Sequence, residues 1–367
     1  MTIALMHDGG PISGISTHIY KIFANLKFHK ESVDLFQCLQ WAPEIDLPPG
    51  TIVLNGSKPR QKYRSDLLRK ISSAIYLFSG SNWRSFRNIK ADVTILSNPS
   101  LLKLTKYLPN CGVIGHDIYY AYNTPDSKLL TYYFRNQYKL FDSAKFVFSN
   151  SEFTKNEMIS KLGISADKIF TVYPYFDNTL FYPGKSEFRQ GLNLRSGDKI
   201  ILSVGSDQPN KNVDTIIKVM TRLPDNYILV RIGRTSSTKA LIHGLSLEGR
   251  VILKEKLGEQ ELADIYRGSD LLLFPSLFEG FGSPVVEAMA SGLPFIVSNR
   301  GALPEVAGSA GVISDPLDVD YMVERILDII EDESKMKRFR KLSTERATFF
   351  SMDNQYKQIV DALKKQQ

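Results

Sequence analysis

The sequence predicts an α/β protein of two domains, each built on a parallel sheet. Three observations carry this reading. Strand-like and helix-like segments alternate along most of the chain. The alternation breaks over residues 177–198, where Pro183-Gly184 and Ser196-Gly197 punctuate the chain, and then it restarts. A length of 367 residues suits two domains better than one. The first domain is expected over residues 1–178 with a returning helix over 351–367, and the second over 179–350.

The first half opens on a strand at 2–6, a loop with Gly9-Gly10-Pro11 and Gly14, and a helix from about Ile15 to Leu26. Further strands are expected at 92–96, 112–114, 145–149 and 168–172. Stretches 27–110 and 119–143 are idiosyncratic in sequence and are expected to carry specificity for a partner molecule. In the second half, Ile200 to Val204 reads as a buried strand and 213–220 as a helix. Strands at 227–232, 251–253, 271–274 and 295–298 follow, with helices between them. Helices from 319 to 350 come next, and an amphipathic helix over 352–365 ends the chain.

Composition is that of an ordinary globular protein, 43% hydrophobic and 23% charged. No run of about 18 apolar residues suggests a membrane span. The first residues enter a strand at once with no basic region before it, so no signal peptide is expected. Cys38 and Cys111 are far apart and in no metal-like spacing, which suits a reduced, cytoplasmic setting.

Net charge is +7, and all of the excess lies in the first half. Residues 1–178 hold 21 Lys and Arg against 14 Asp and Glu, and the remainder holds 25 of each. Between residues 58 and 90, nine basic residues accompany one acid, Asp66. An anionic partner is expected, either a phosphorylated acceptor or a membrane surface. Residues 63–86 place Leu67, Leu68, Ile71, Ala74, Ile75 and Phe78 at helical spacing among Arg64, Arg69, Lys70, Arg84 and Arg87. Such a helix packs against a sheet or faces anionic lipid. The basic residues form no nucleic-acid-binding module, and the second half is neutral, so no nucleic-acid partner is expected.

The most informative stretch runs from Phe274 to Pro294. A strand ends at Phe274; a loop follows with Glu279, Gly280, Phe281 and Gly282; then comes a helix with Ser283 as expected N-cap and Pro284 at its first position. A helix N-terminus behind a glycine-rich turn seats a diphosphate, because its N–H groups and positive dipole end face the ligand. Gly280 and Gly282 let backbone approach closely. Glu287, early in the helix, can accept bonds from ribose hydroxyls, and Glu279 can reach a sugar.

This string, read as Glu279-Gly-Phe-Gly-Ser-Pro-Val-Val-Glu287-Ala-Met-Ala-Ser-Gly-Leu-Pro294, resembles the signature of the large family four of retaining glycosyltransferases, the group 1 glycosyl transferases with the GT-B fold. The resemblance continues in Ser298 to Val306 and in Glu261 to Ser276. It extends more weakly to Gly10 and Gly14, His116-Asp117, Ser149 to Thr154, Val172 to Pro183 and Ser351-Met352. It implies two Rossmann-like doubly wound domains facing across a cleft. It also implies that Glu279 and the 280–283 backbone hold the transferred sugar, that Glu287 holds the ribose and that His116 stands at the reacting centre. Lys211, after Gly205, is implied to neutralise the leaving diphosphate, and Gly14 to lie near it.

One departure stands out. The family usually has an arginine directly after that glycine or directly before that lysine, where this chain has Ser206 and Asn210. Arg234, at the end of the next strand, is the candidate substitute. Asp318-Val-Asp320 resembles a metal-binding DxD but opens a helix, so it reads as capping, and no metal or other cofactor is expected. The implied reaction moves a hexose-type sugar from a nucleoside-diphosphate sugar to a glycan, lipid-linked or small-molecule acceptor, with retention and without metal. A catalytically silent nucleotide-binding subunit and a sugar-nucleotide epimerase are the rival readings.

Overall fold

The computed structural model describes residues 1–7, 14–37, 49–53, 89–97, 99–106, 108, 110–122, 128–192, 194–233, 236–255 and 257–366. The basic segment 63–86, the loop with Gly10, and Arg234 lie outside them. The chain divides into two compact units, Met1–Tyr173 together with Tyr356–Gln367, and Pro174–Gln355.

The first unit has strands β1 (Thr2–His7), β2 (Ser32–Gln37), β3 (Ile52–Val53), β4 (Val93–Leu96), β5 (Cys111–Gly115), β6 (Phe146–Ser149) and β7 (Ile169–Thr171). Among the described residues they form one sheet of order β3-β2-β1-β4-β5-β6-β7, and every pairing is parallel. Helices α1 (Gly14–Phe28), α2 (Lys128–Lys139) and α3 (Glu152–Leu162) belong to the same unit. Parallel strands covered on both faces should be apolar throughout, and β1 is buried from Ile3 to His7. The two-residue period then sends Ala4 and Met6 to one core with Leu96, Val113 and Val147. Ile3 and Leu5 go to the other, with Ile19 and Ile22 of α1. β2 was not expected from the sequence. Its exposed Asp34 interrupts an otherwise apolar run.

The second unit has β8 (Lys199–Val204), β9 (Tyr227–Ile232), β10 (Val251–Lys254), β11 (Leu271–Phe274), β12 (Phe295–Ser298) and β13 (Val312–Ser314). Their order is β10-β9-β8-β11-β12-β13, again parallel throughout. Helices α4 (Val213–Arg222), α5 (Ser236–Gly244), α6 (Glu259–Gly268), α7 (Ser283–Ala290), α8 (Leu303–Ala307), α9 (Val319–Ile330) and α10 (Glu333–Ala347) alternate with and follow these strands. Asp318 caps α9, its carboxylate accepting the Tyr321 N–H at 3.0 Å, as the capping reading expected.

The last helix, α11 (Met352–Lys364), carries the chain back into the first unit, where Ile359, Ala362 and Leu363 join the core beside α1. Tyr356 on it stacks on His29, with ring centroids 3.9 Å apart. Among the described residues, no helix is long and apolar enough to cross a membrane.

Candidate active site

In the second sheet β8 and β11 are neighbours, and the chain winds outward from them in opposite directions. At such a switch point the loops leaving the carboxyl ends of two adjacent strands diverge and leave a crevice, which is where open α/β sheets bind ligands. The two loops here are residues 205–212, after β8, and 275–282, after β11.

Hydrogen bonds stitch these loops together. Leu277 N–H donates to the Asn210 carbonyl at 2.7 Å, and Asn210 Nδ2 donates to the Phe278 carbonyl at 3.1 Å. Asn212 Nδ2 donates to the carbonyls of Pro275 (3.0 Å) and Pro316 (2.8 Å). Asn210, one of the two departures from the family pattern, therefore ties the loops together where an arginine would have carried charge.

Side chains meet across this seam. Lys211 Nζ donates to Glu279 Oε1 at 2.6 Å, so two residues chosen from separate motifs form one ion pair. Gly205 lies beneath the lysine; a Cβ there would sit 3.6 Å from Lys211 Cδ. Glu279 is fixed from the other side. Its carbonyl accepts the Ala302 N–H at 3.0 Å, and Gly301 packs directly on its backbone. Gly301 has φ +65°, and a Cβ on it would lie 2.6 Å from the Glu279 carbonyl oxygen. Gly301→Ala is accordingly expected to cost roughly 2–4 kcal/mol of stability, through both the left-handed backbone and the backbone clash. Urea denaturation checks this, and a loss below about 1 kcal/mol would show that the contact yields easily.

Helix α7 begins just after this loop. The sequence suggested Ser283 as its N-cap, but the cap is Gly282, with φ +103° and no side chain bonding the first turn. Serine and glycine are both accepted at this place, and the positive φ needed to turn from loop to helix decides for glycine. Ser283 and Pro284 are then the first helical residues, and Gly282 brings no side chain to the positive end of the helix dipole. Phe281 is buried edge-on against Phe350. Further along, Glu287 Oε2 accepts the Tyr266 hydroxyl at 2.9 Å. Burial, reinforced by the Glu287 carboxylate, pushes the Tyr266 phenol well above its usual range, so it remains a neutral donor that orients Glu287.

Residues 184–346 match the family described as Glycosyl transferases group 1. That stretch is a group 1 glycosyltransferase domain. Over the longer chain, O-antigen chain mannosyltransferase B of Escherichia coli is 26% identical across 303 residues, covering 79% of this chain and 74% of the relative. Two further curated relatives are matched over about half of their own length. Sucrose-phosphate synthase from Thermosynechococcus elongatus superimposes with a TM-score of 0.83 at 19% identity, over 99% of this chain and 98% of that one. Anabaena HepE, solved with UDP-glucose, does so with 0.79 at 18%, over 99% and 100%. The fold is the GT-B fold, with one Rossmann-like parallel sheet in each unit.

The group 1 domain also holds a residue that the sequence reading passed over. Arg231 lies within β9 at 1% exposure, and its guanidinium donates to the carbonyls of Ser206 (2.8 Å) and Ile232 (2.9 Å), 3.8 Å from Asp207. A cation is thus present beside Ser206, the other departure from the family pattern, but it comes from a neighbouring strand and braces the loop from below. The signal was an arginine inside the apolar run Tyr-Ile-Leu-Val-Arg-Ile. A charge in a central parallel strand is paired or functional.

Outside the group 1 domain, in the first unit, the switch point lies between β1 and β4. His7, ending β1, contacts the Ser97 hydroxyl through Nδ1 at 3.1 Å. His116, just after β5, donates from Nε2 to the Ser97 carbonyl at 2.9 Å. Its carbonyl accepts from Asn150 Nδ2 at 2.6 Å, and Asp117 turns the following backbone by accepting the Tyr119 N–H. Gly14 opens α1; the loop before it is outside the described residues.

His18, from the same helix, stands edge-on to His116 with ring centroids 5.2 Å apart, and both of its ring nitrogens are buried without a hydrogen-bond partner among the described residues. Burial, then the neighbouring His116 and Lys21, hold its pKa well below 6.5. The folded state refuses a proton that the unfolded chain accepts, so stability is full above about pH 7.5 and declines as pH falls through 6.5. The expected slope reaches about 1.4 kcal/mol per pH unit below that point. Urea midpoints at pH 7.5 and 5.5 should show it in the wild type, and His18→Phe should flatten it; an unchanged slope would assign the acid sensitivity elsewhere.

Proposed function

We propose that the chain is a retaining glycosyltransferase that moves a hexose-type sugar from a nucleoside-diphosphate sugar to a hydroxyl of a glycan, lipid-linked or small-molecule acceptor. The observation that carries this is the Lys211–Glu279 pair at the switch point, in the loop that leads through the Gly282 N-cap into the helix bearing Glu287. A cation and a helix dipole suit a diphosphate, and two carboxylates suit the hydroxyls of ribose and sugar. HepE, of the same fold, was solved with UDP-glucose.

In this reading Lys211 and the dipole of α7 stabilise the charge that develops on the departing diphosphate. Glu287, oriented by Tyr266, holds the ribose, while Glu279 and the Phe281–Ser283 backbone hold the sugar. Attack comes from the face the diphosphate leaves, and the departing phosphate takes the acceptor proton, so no side chain serves as covalent nucleophile. His116 is assigned to the reacting centre. Lys211 supplies the charge that a metal supplies elsewhere, which makes catalysis independent of divalent cations. The basic first half suits an anionic acceptor or membrane surface, and binding to anionic liposomes at low salt checks the latter.

The test is product stereochemistry. Incubation with a nucleotide sugar and acceptor, followed by anomeric proton NMR, should show the donor configuration retained, with turnover unaffected by EDTA. An inverted product or a chelator-sensitive rate overturns the mechanism. Sugar turnover without an acceptor would mark an epimerase, and donor binding without any turnover a silent subunit.

A further inference from the structure

The Lys211–Glu279 pair joins two groups assigned to different parts of the donor. Their side chains are 21% and 12% exposed, so water screens the contact only partly. The pair is not what holds the loops in place. The backbones on either side are fixed by the bonds from Leu277 to Asn210, from Asn210 to Phe278, from Asn212 to Pro275 and from Ala302 to Glu279. The ammonium and carboxylate can therefore part by side-chain rotation while both loops stay where they are.

A diphosphate oxygen seated on the same ammonium as Glu279 would lie about 4–5 Å from that carboxylate oxygen. Two anions at that range in a half-buried site oppose each other. Sugar hydroxyls relieve the conflict, since they can replace the ammonium as hydrogen-bond donors to Glu279. A nucleoside diphosphate brings no such hydroxyls to this place.

We infer that Glu279 is the selectivity residue of the donor site. It yields Lys211 to the diphosphate when sugar hydroxyls take the lysine's place, so the site favours the nucleotide sugar over the nucleoside diphosphate it releases. After transfer the sugar leaves Glu279, the carboxylate reclaims Lys211, and the by-product is expelled. This rests on the donor-binding roles proposed above for the two residues.

Isothermal titration of the full chain with UDP, GDP and ADP, and with UDP-glucose, GDP-mannose and ADP-glucose, tests it. Wild type should bind one nucleotide sugar more tightly than its matching diphosphate. Glu279→Gln keeps the side-chain shape but removes the charge. It should tighten the diphosphate about fivefold and weaken the nucleotide sugar, reversing the preference. In a Lys211→Met background the same change should no longer tighten the diphosphate. A diphosphate that Glu279→Gln weakens or leaves unchanged overturns the exchange. Equal tightening with and without the lysine also overturns it, because simple repulsion then suffices. Wild type that binds no member of the panel overturns the donor reading itself, and the exchange with it.

Discussion

Glu287→Ala is expected to lower kcat/KM for the nucleotide-sugar donor by roughly 100- to 1000-fold, the weight of one or two charge-assisted hydrogen bonds at about 1.5–3 kcal/mol each. Most of the loss should fall on KM, because ribose contacts are made equally in the ground and transition states. The variant also leaves the Tyr266 hydroxyl buried without its carboxylate, so a modest fall in stability should accompany it. Tyr266→Phe separates the two effects. It keeps Glu287 but removes the bond that orients it, and a loss of about tenfold is expected. Steady-state kinetics on both variants check this. A Glu287→Ala enzyme with unchanged donor KM would remove the ribose assignment.

Lys211→Met is expected to act on the other parameter. The ammonium matters most as the diphosphate gains charge in the transition state, so kcat should fall by roughly 100- to 1000-fold, comparable to the loss of one oxyanion donor. The methionine chain preserves packing against Gly205 and the Phe274 ring, over which the ammonium lies at 5.9 Å. A fall in kcat without loss of folding is therefore a charge effect. Donors with a better leaving group should be affected less. A variant that turns over normally would mean that another cation carries the diphosphate.

The second unit was largely legible because its site is written in consecutive residues. The strand to Phe274, the turn with Glu279 and Gly282, and the helix with Glu287 are local features, and local signals encode them. What was not legible depends on contacts between distant segments. That Lys211 and Glu279 touch follows from β8 and β11 being neighbours, which no residue near either one states. Asn210 looked like a missing arginine, and its job of tying two loops together is visible only once the loops are adjacent. The helix cap moved from Ser283 to Gly282 because a backbone angle, not a side-chain preference, sets that turn. Arg231 could have been suspected from its place in an apolar strand, but its partners Ser206 and Asp207 come from another strand's loop. In the first unit, β2 and the contact between His18 and His116 were missed for similar reasons. Arg234, the proposed substitute cation, and the basic segment 63–86 lie outside the described residues.

The central claim is that the loops after β8 and β11, with Glu287, form a donor site for a nucleoside-diphosphate sugar. Thermal unfolding of wild type and Glu287→Ala against a panel of nucleoside diphosphates and their sugars tests it most directly. A ligand at about 100 times its dissociation constant should stabilise the native state by about 2.7 kcal/mol. The account predicts that one nucleobase series raises the melting temperature of wild type and that Glu287→Ala loses most of the shift. Equal stabilisation of both proteins, or none of the wild type by any nucleotide, would contradict it.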